Sequence, residues 1–179
     1  YEIIREKLSG ISPMNVVIEA PAGRSVLEPE ALAAIDRLSS HLAELPEVGK
    51  SISIADALWQ LHGGFQEDPA LPLPDSLALA EQYLLLLESL ERLADVVTPD
   101  RETANILLRV DDNGSAHLLG LADEVTRWWQ REGPAGYTAQ ATGIMYEFAR
   151  SQDTIAVGQI RGLGLAFGAR MDASLPEAA

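Results

Sequence analysis

The turn Asp111–Gly114 carries the residue types of a calcium-binding loop: two aspartates and an asparagine followed by a glycine. In an EF-hand loop the invariant glycine is the sixth residue, and acidic ligands stand at the first and twelfth positions. Aligning Gly114 with that glycine places Arg109 at the first position and Gly120 at the twelfth. The spacing therefore excludes this calcium site, and Asn-Gly predicts a turn between a strand and a helix.

The histidines and cysteines give no pattern of a metal site. His41, His62 and His117 contain no pair at the i, i+4 spacing that places two imidazoles on one helix face. The chain has no cysteine, so thiolate nucleophiles, thiolate zinc sites and iron–sulfur clusters are excluded. We predict histidines that are solvated or hydrogen-bonded locally, and a chain without metal or cofactor.

Catalytic motifs are also missing from the sequence. There is no Gly-x-Ser-x-Gly elbow, phosphate-binding loop or dinucleotide fingerprint. Carboxylate pairs such as Glu28 with Glu30, or Asp123 with Glu124, fall on predicted exposed faces. The prediction is a protein that is not an enzyme, although a fold can gather catalytic groups from distant positions. A pocket lined by carboxyl groups of shifted pKa would indicate an enzyme instead.

Aromatic and aliphatic side chains are the better candidates for a binding surface. Adjacent tryptophans on a helix point about 100° apart, so we expect one of Trp128 and Trp129 to be buried and the other partly exposed. The run Tyr83–Leu87 is apolar all round, which fits either a core or a groove for a greasy ligand. The candidate cargo or partner surface consists of Trp59, Leu61, Phe65, Tyr83, Trp128 and Trp129.

Composition limits the class of partner. The chain has 179 residues, of which 47% are hydrophobic and 22% charged, as in a folded globular domain. Its formal net charge of −14 argues against nucleic acid and against adsorption to anionic lipid, because both attract basic proteins.

Hydrophobic periodicity predicts one pattern twice, strand–helix–strand. Two such units in a small domain favour an α+β fold of the ferredoxin-like kind, a four-stranded antiparallel sheet with two helices on one face. The predicted elements are a strand Met14–Ala20, a helix Glu30–Leu45, a strand Val48–Ile54, a strand Thr103–Val110, a helix Ser115–Glu132 and a strand Tyr137–Thr142.

Between the two units we predict a helical insertion, about Ser53 to Val97. Its first helix is capped by Ser53 with Asp56 and is closed by Gly63-Gly64. A Pro-rich loop, 66–74, leads to a long helix over 76–97 that Asp75 can cap. Ser115 is the predicted cap of the helix in the second unit.

The end of the chain is apolar and spaced by glycines. Gly158 with Gly162, and Gly164 with Gly168, place small residues on helix faces, as membrane helices do for close packing. The alternative is a surface helix weakened by glycine, at about 1 kcal/mol per glycine relative to alanine. No run reaches the roughly 18 apolar residues that span a bilayer.

Several stretches resemble predicted exporters of the resistance-nodulation-division (RND) superfamily, which includes the MMPL-type lipid exporters. The segment 45–56, LPEVGKSISIAD, resembles their "LPGVGKVLSLADYL", and TANILLRV at 103–110 stands where they carry "TARIIVRL". The segments 73–76 and 83–88 match the helix that follows the first of these. The segments 141–143 and 158–163 resemble the "LTG" and "SQIRSLLLA" that lead into a membrane helix. The resemblance covers about Ile11 to Phe167.

The resemblance implies a porter-type domain over residues 1–167, on the periplasmic or extracytoplasmic side of a membrane exporter. It implies hydrophobic or lipid-like cargo, and contacts with the rest of the transporter and with sister subunits. The proton-relay carboxylates of the superfamily lie in membrane helices, so no transport chemistry is implied here. After Phe167 the family continues as an apolar span, whereas here 168–179 is a polar tail that we expect to be disordered.

A second class of protein also repeats strand–helix–strand units. ACT-like ligand-sensing modules bind small polar ligands at a dimer interface, and they would not carry a glycine-spaced apolar tail. Exporter domain and ACT-like module therefore remain two distinct expectations for this chain.

Overall fold

The structure is a computed structural model, and it describes residues 12–65, 73–87, 93–111, 114–144 and 146–152. Its centre is a four-stranded sheet in the order β2-β3-β1-β4, in which all neighbours are antiparallel. The strands are β1 (Ser12–Glu19), β2 (Val48–Ile52), β3 (Thr103–Val110) and β4 (Thr138–Thr142).

Five helices accompany these strands within the described ranges. They are α1 (Pro29–Ala43), α2 (Ile54–Phe65), α3 (Leu77–Leu87), α4 (Leu93–Val96) and α5 (Ser115–Glu132). Residues 144 and 146–152 are also helical, and we call them the C-terminal helical segment.

The order of elements confirms the ferredoxin-like α+β prediction. α1 connects β1 to β2 and α5 connects β3 to β4, while α2, α3 and α4 stand between the two halves as the predicted insertion. Each half is a split unit, because β3 lies between β1 and β2, and β1 lies between β3 and β4.

One face of the sheet forms the core with α1 and α5. Met14, Val16 and Ile18 alternate along β1 and are fully buried, and Ile106 and Leu108 of β3 are buried on the same face. The alternation follows from the two-residue repeat of a strand. Burying such side chains stabilises the fold by about 1.5–3 kcal/mol each.

The first helix of the insertion is longer than predicted, and the second is described only in part. α2 does not stop at Gly63-Gly64 but continues to Phe65, because Phe65 stacks on Tyr83 of α3 and this contact offsets the weak helix propensity of glycine. The predicted helix 76–97 is described as α3 and α4, with residues 88–92 outside the described ranges. α4 lies against β3, where the Asn105 side chain donates to the Asp95 carbonyl at 3.0 Å.

The predicted cap of α5 is wrong by one residue. Gly114 is the N-cap residue and Ser115 is already the first helical residue. Glycine is accepted at this position because the cap needs an extended backbone, which Gly114 adopts at φ −60° and ψ 132°.

Several predicted segments lie outside the residues that the structure describes. These are most of the loop 66–74, the glycine-spaced tail and the polar end 168–179. Among the described helices, none is both long enough and apolar enough to cross a membrane.

Candidate functional site

The start of α2 is fixed by a hydrogen-bonded cap. The Asp56 carboxylate accepts from the Ser53 backbone N–H at 2.6 Å and from the Ser53 hydroxyl at 2.9 Å. Ser53 is itself buried. The residue pair is the one expected from the sequence, but the carboxylate of Asp56 is the acceptor of both bonds and the Ser53 hydroxyl is a donor.

A buried polar contact joins α2 to α3. His62 Nδ1 lies 3.1 Å from the Tyr83 hydroxyl, and both residues are buried. The Phe65 ring, one turn after His62, stacks on the same Tyr83, with ring centroids 5.6 Å apart and an interplanar angle of 4°. The hydrogen bond satisfies two polar groups that would be costly to bury alone, and the stack aligns the ends of the two helices.

Four large apolar side chains on these two helices are exposed. Trp59 and Phe65 of α2 are 44% and 61% exposed, and Leu85 and Leu86 of α3 are 57% and 55% exposed. We call these four residues the insertion surface. Tyr83 and Leu86 are three residues apart on α3 and so lie near one face of the helix. Leu86 is therefore on the side of α3 where Phe65 stacks on Tyr83.

The structure brings together only part of the predicted surface. Phe65 and Tyr83 are in contact, whereas Leu61 is half-buried and packs against the core. Trp59 is exposed on α2, about 120° around the helix from Phe65. Leu85 and Leu86 were missed as site residues, although the all-apolar run 83–87 signalled that one side of this helix would be left uncovered.

The expectation for the two adjacent tryptophans is wrong. Trp128 and Trp129 are both buried, at 7% and 6% exposure, so neither belongs to a surface. Trp128 stacks on His41 of α1 with centroids 6.3 Å apart, and Trp129 Nε1 donates to the Tyr137 carbonyl at 3.1 Å. α5 is covered on two sides, by α1 and by the segment before β4, so its buried arc exceeds 100°.

A cleft of about 360 Å³ lies beside β4. Its lining comes from β1, α5, β4 and the C-terminal helical segment, and carries charges of both signs from Glu19, Asp123, Glu147 and Arg150. The lining residues include no histidine, cysteine or lysine, and the Thr126 hydroxyl is bonded to the Ala122 carbonyl at 3.0 Å. The cleft has polar character but no paired nucleophile and base.

The lowered pKa values of Glu28 and Glu124 come from hydrogen bonds that hold the fold together. The Arg24 guanidinium holds the pKa of Glu28 below its usual range and also bonds Glu30 at 2.6 Å. The hydrogen bond from His41, at 2.9 Å, lowers the pKa of Glu124. Burial, and then the charge of Asp56, raise the pKa of Asp36.

A metal centre does not emerge from the described residues, which contain no group of three His, Cys, Asp or Glu placed to hold an ion. The sequence predicted histidines that are solvated or bonded locally, whereas His41 and His62 each bond a residue on another helix, Glu124 and Tyr83 respectively. No protein-family model matches this chain, and no curated protein matches its sequence. Its function is therefore inferred from its own geometry and from the resemblance of its motifs.

Proposed function

We propose that the chain is an extracytoplasmic porter-type domain of an RND-type exporter, with MMPL-like character. In this role the insertion surface contacts hydrophobic or amphiphilic cargo, and the domain contacts the rest of the transporter and sister subunits. The domain carries no catalytic step and needs no cofactor.

Two features support this proposal together. The motifs that resemble the exporters run in the same order along most of the chain, from Ile11 to Phe167. The fold adds a ferredoxin-like sheet with a helical insertion between β2 and β3, whose inner side packs on the core and whose outer side is exposed. Because the insertion connects β2 to β3 outside the sheet, substitutions on its exposed side leave the order of the strands unchanged.

The observation that carries the proposal is the apolar character of the insertion surface. The chain as a whole has a net charge of −14, yet Trp59, Phe65, Leu85 and Leu86 leave aromatic and aliphatic groups in water. Groups of exposed large apolar residues mark sites of interaction with proteins, membranes or ligands. A lipid-like molecule matches this surface because its binding requires buried apolar area and no buried charge.

Tryptophan quenching tests the proposal. Trp59 is the exposed tryptophan and the other two are buried, so dibromostearate bound at the insertion surface quenches Trp59 selectively. We expect saturable quenching in the 179-residue chain, loss of that quenching in Trp59→Phe, and at least fivefold weaker binding in Phe65→Ser.

The matched control is Gln130→Ser, an exposed position on α5 far from the insertion in sequence, which should leave binding unchanged. Stearate without bromine should compete with dibromostearate. Absence of saturable quenching, or equal affinity in Phe65→Ser, would contradict cargo binding at this surface. In an intact exporter, unchanged export after alanine replacement of Trp59, Leu61 and Phe65 would do the same.

An ACT-like ligand-sensing module is the second candidate. The polar cleft beside β4, with charges of both signs, favours a small zwitterionic ligand over an acyl chain. A thermal-shift screen separates the two classes: stabilisation by an amino acid supports the sensor, and stabilisation by fatty acids supports the exporter domain.

A further inference from the structure

The last turn of α2 is a weak helix by composition. Residues 62–65, which we call the terminal turn, read His-Gly-Gly-Phe. A glycine inside a helix costs about 1 kcal/mol relative to alanine, because its backbone loses the most conformational freedom on folding. The turn also ends the helix, and helix ends fray. Its helical form therefore depends on contacts from outside α2.

Tyr83 of α3 contacts both large side chains of the terminal turn. Its hydroxyl lies 3.1 Å from His62 Nδ1, and the rings of His62 and Tyr83 have centroids 5.8 Å apart. The Tyr83 ring also lies parallel to the ring of Phe65, at an interplanar angle of 4°. One side chain of α3 thus contacts the first and the last residue of the turn.

Burial shows which of these residues supports the others. Tyr83 is 6% exposed and belongs to the hydrophobic core, and His62 is 9% exposed. Phe65, by contrast, lies mostly in solvent as part of the insertion surface. The position of Phe65 is therefore set by a residue that is itself fixed in the core.

The glycine at position 64 is not needed for close packing. Among the residues that the structure describes, no atom lies within 4 Å of a Cβ atom built at Gly64, and the backbone there is helical. An alanine fits at this position and would favour the helix without help from α3. With glycine, the terminal turn stays dependent on Tyr83.

We propose that Tyr83 is the positioning residue of the insertion surface: it holds the terminal turn of α2 in helical form and so keeps Phe65 where cargo contacts it. This inference rests on the proposed binding of cargo at the insertion surface. The bond to His62 and the stack on Phe65 act together, because the bond orients the ring on which Phe65 lies.

Quenching of Trp59 by dibromostearate tests the role of Tyr83 in binding. Tyr83→Leu removes both contacts but keeps an apolar side chain in the core, and it should weaken binding at least fivefold. Tyr83→Phe keeps the ring and removes the hydroxyl, and it should weaken binding at least twofold. His62→Leu removes the same hydrogen bond from the other side and should match Tyr83→Phe.

The matched control is Leu84→Ala, because Leu84 is buried next to Tyr83 on the same helix. It should lower the urea midpoint of unfolding and leave the affinity within twofold of that of the native chain. Circular dichroism establishes that each variant is folded. Equal weakening of binding by Leu84→Ala would show that Tyr83 acts only through core stability, and would overturn the positioning role.

A second substitution separates positioning from core packing. Gly64→Ala, introduced into the Tyr83→Leu chain, should recover at least twofold of the lost affinity, because alanine restores the helical turn that Tyr83 no longer holds. The methyl group meets open space at this position, so it cannot refill the core. A double variant that binds no better than Tyr83→Leu would contradict the inference.

Fluorine NMR tests the positioning without a ligand. The phenylalanines are Phe65, Phe148 and Phe167, so labelling with 4-fluorophenylalanine gives one signal for each, and Phe65→Leu assigns the signal of Phe65. That signal should move in Tyr83→Leu, which removes the stacked ring, while the signal of Phe148 stays in place. An unmoved Phe65 signal overturns the inference.

The two experiments distinguish this inference from the proposed function. Absence of saturable quenching in the native chain contradicts cargo binding, and the fluorine signal then still decides whether Tyr83 positions Phe65. Saturable quenching with equal affinity in the native chain and in Tyr83→Leu leaves cargo binding intact and overturns the role of Tyr83 alone.

Discussion

Single side chains tie distant segments of this chain together. The Tyr137 hydroxyl donates to the Ser25 carbonyl at 2.9 Å, and the Arg24 guanidinium lies over the Tyr137 ring, 5.2 Å from its centroid. Arg24 also forms ion pairs with Glu28 and Glu30, so one guanidinium, two carboxylates and an aromatic ring meet where β1 leads into α1. This contact joins the segment before β4 to the first half of the fold.

The His41–Glu124 pair predicts a pH-dependent contribution to stability. Its hydrogen bond lowers the folded-state pKa of Glu124, so the stabilisation is present above the unfolded pKa and is lost as the pH falls through the folded pKa. Glu124→Gln should lower the free energy of unfolding by about 0.5–1 kcal/mol at pH 7. Urea unfolding at several pH values measures the difference, which should shrink as the pH falls through the folded-state pKa of Glu124.

Glu132→Gln is the matched control for this prediction, because Glu132 is exposed on the same helix. Its effect should stay within about 0.5 kcal/mol. A difference between the native chain and Glu124→Gln that stays constant over the whole acid titration would contradict the assigned cause.

Trp129 is expected to be the most sensitive tryptophan. Trp129→Phe removes the donor to the Tyr137 carbonyl and leaves that buried acceptor unpaired, at a cost of about 1–3 kcal/mol in the free energy of unfolding. Trp59→Phe, at an exposed position, should change it by less than about 0.5 kcal/mol. Equal urea midpoints for the two variants would show that this bond contributes little.

These residues also mark the limit of sequence reasoning. The helical spacing of Leu118, Leu121 and Val125 in α5 places them on one face of the helix, and they are buried. It could not predict that His41 would cover Trp128 while the Tyr137 segment covered Trp129. His41 and Trp128 lie far apart in sequence, and Tyr137 lies beyond the end of α5, so the periodicity within the helix predicts neither contact.

Among the helices and strands, those with a strong hydrophobic period were predicted closely. The bounds of β3 and α5 match the predicted ranges, since buried alternation and a clear inner face defined them. The end of α2 was mispredicted at Gly63-Gly64, because the stacking of Phe65 on Tyr83 outweighs the low helix propensity of glycine. The contact between Phe65 and Tyr83 of the candidate surface could not be predicted either, because it joins two different helices.

The cap of α2 gives a prediction for this helix. Asp56→Ala removes the acceptor of two hydrogen bonds from Ser53 and should lower the free energy of unfolding by about 1 kcal/mol. Gln60→Ala, at an exposed position of the same helix, should be nearly neutral. Chemical denaturation measures both variants, and a neutral Asp56→Ala would mean that α2 is held by packing alone.

For the molecule as a whole, the excess of acidic groups should oppose compactness. The chain has 27 acidic and 13 basic residues, so self-repulsion should weaken as salt screens it. We expect the melting temperature at pH 7 to rise by a few degrees between about 10 mM and 0.5 M NaCl.

The control is the same titration near pH 4.5, the isoelectric point calculated from the sequence, where the net charge is small and salt should have little effect. A melting temperature that falls with salt at pH 7 would show that attractive ion pairs, such as Arg127 with Glu124, outweigh the repulsion.

The interleaved strand order has a consequence for how the chain can be divided. The two strands of the first half, β1 and β2, are separated by β3, and the two strands of the second half, β3 and β4, are separated by β1. Neither half can therefore form its part of the sheet without the other. A backbone break between α2 and α3 would therefore yield two fragments that are unstructured apart and recover the native sheet on mixing. The insertion is the natural place to split this protein into a complementing pair.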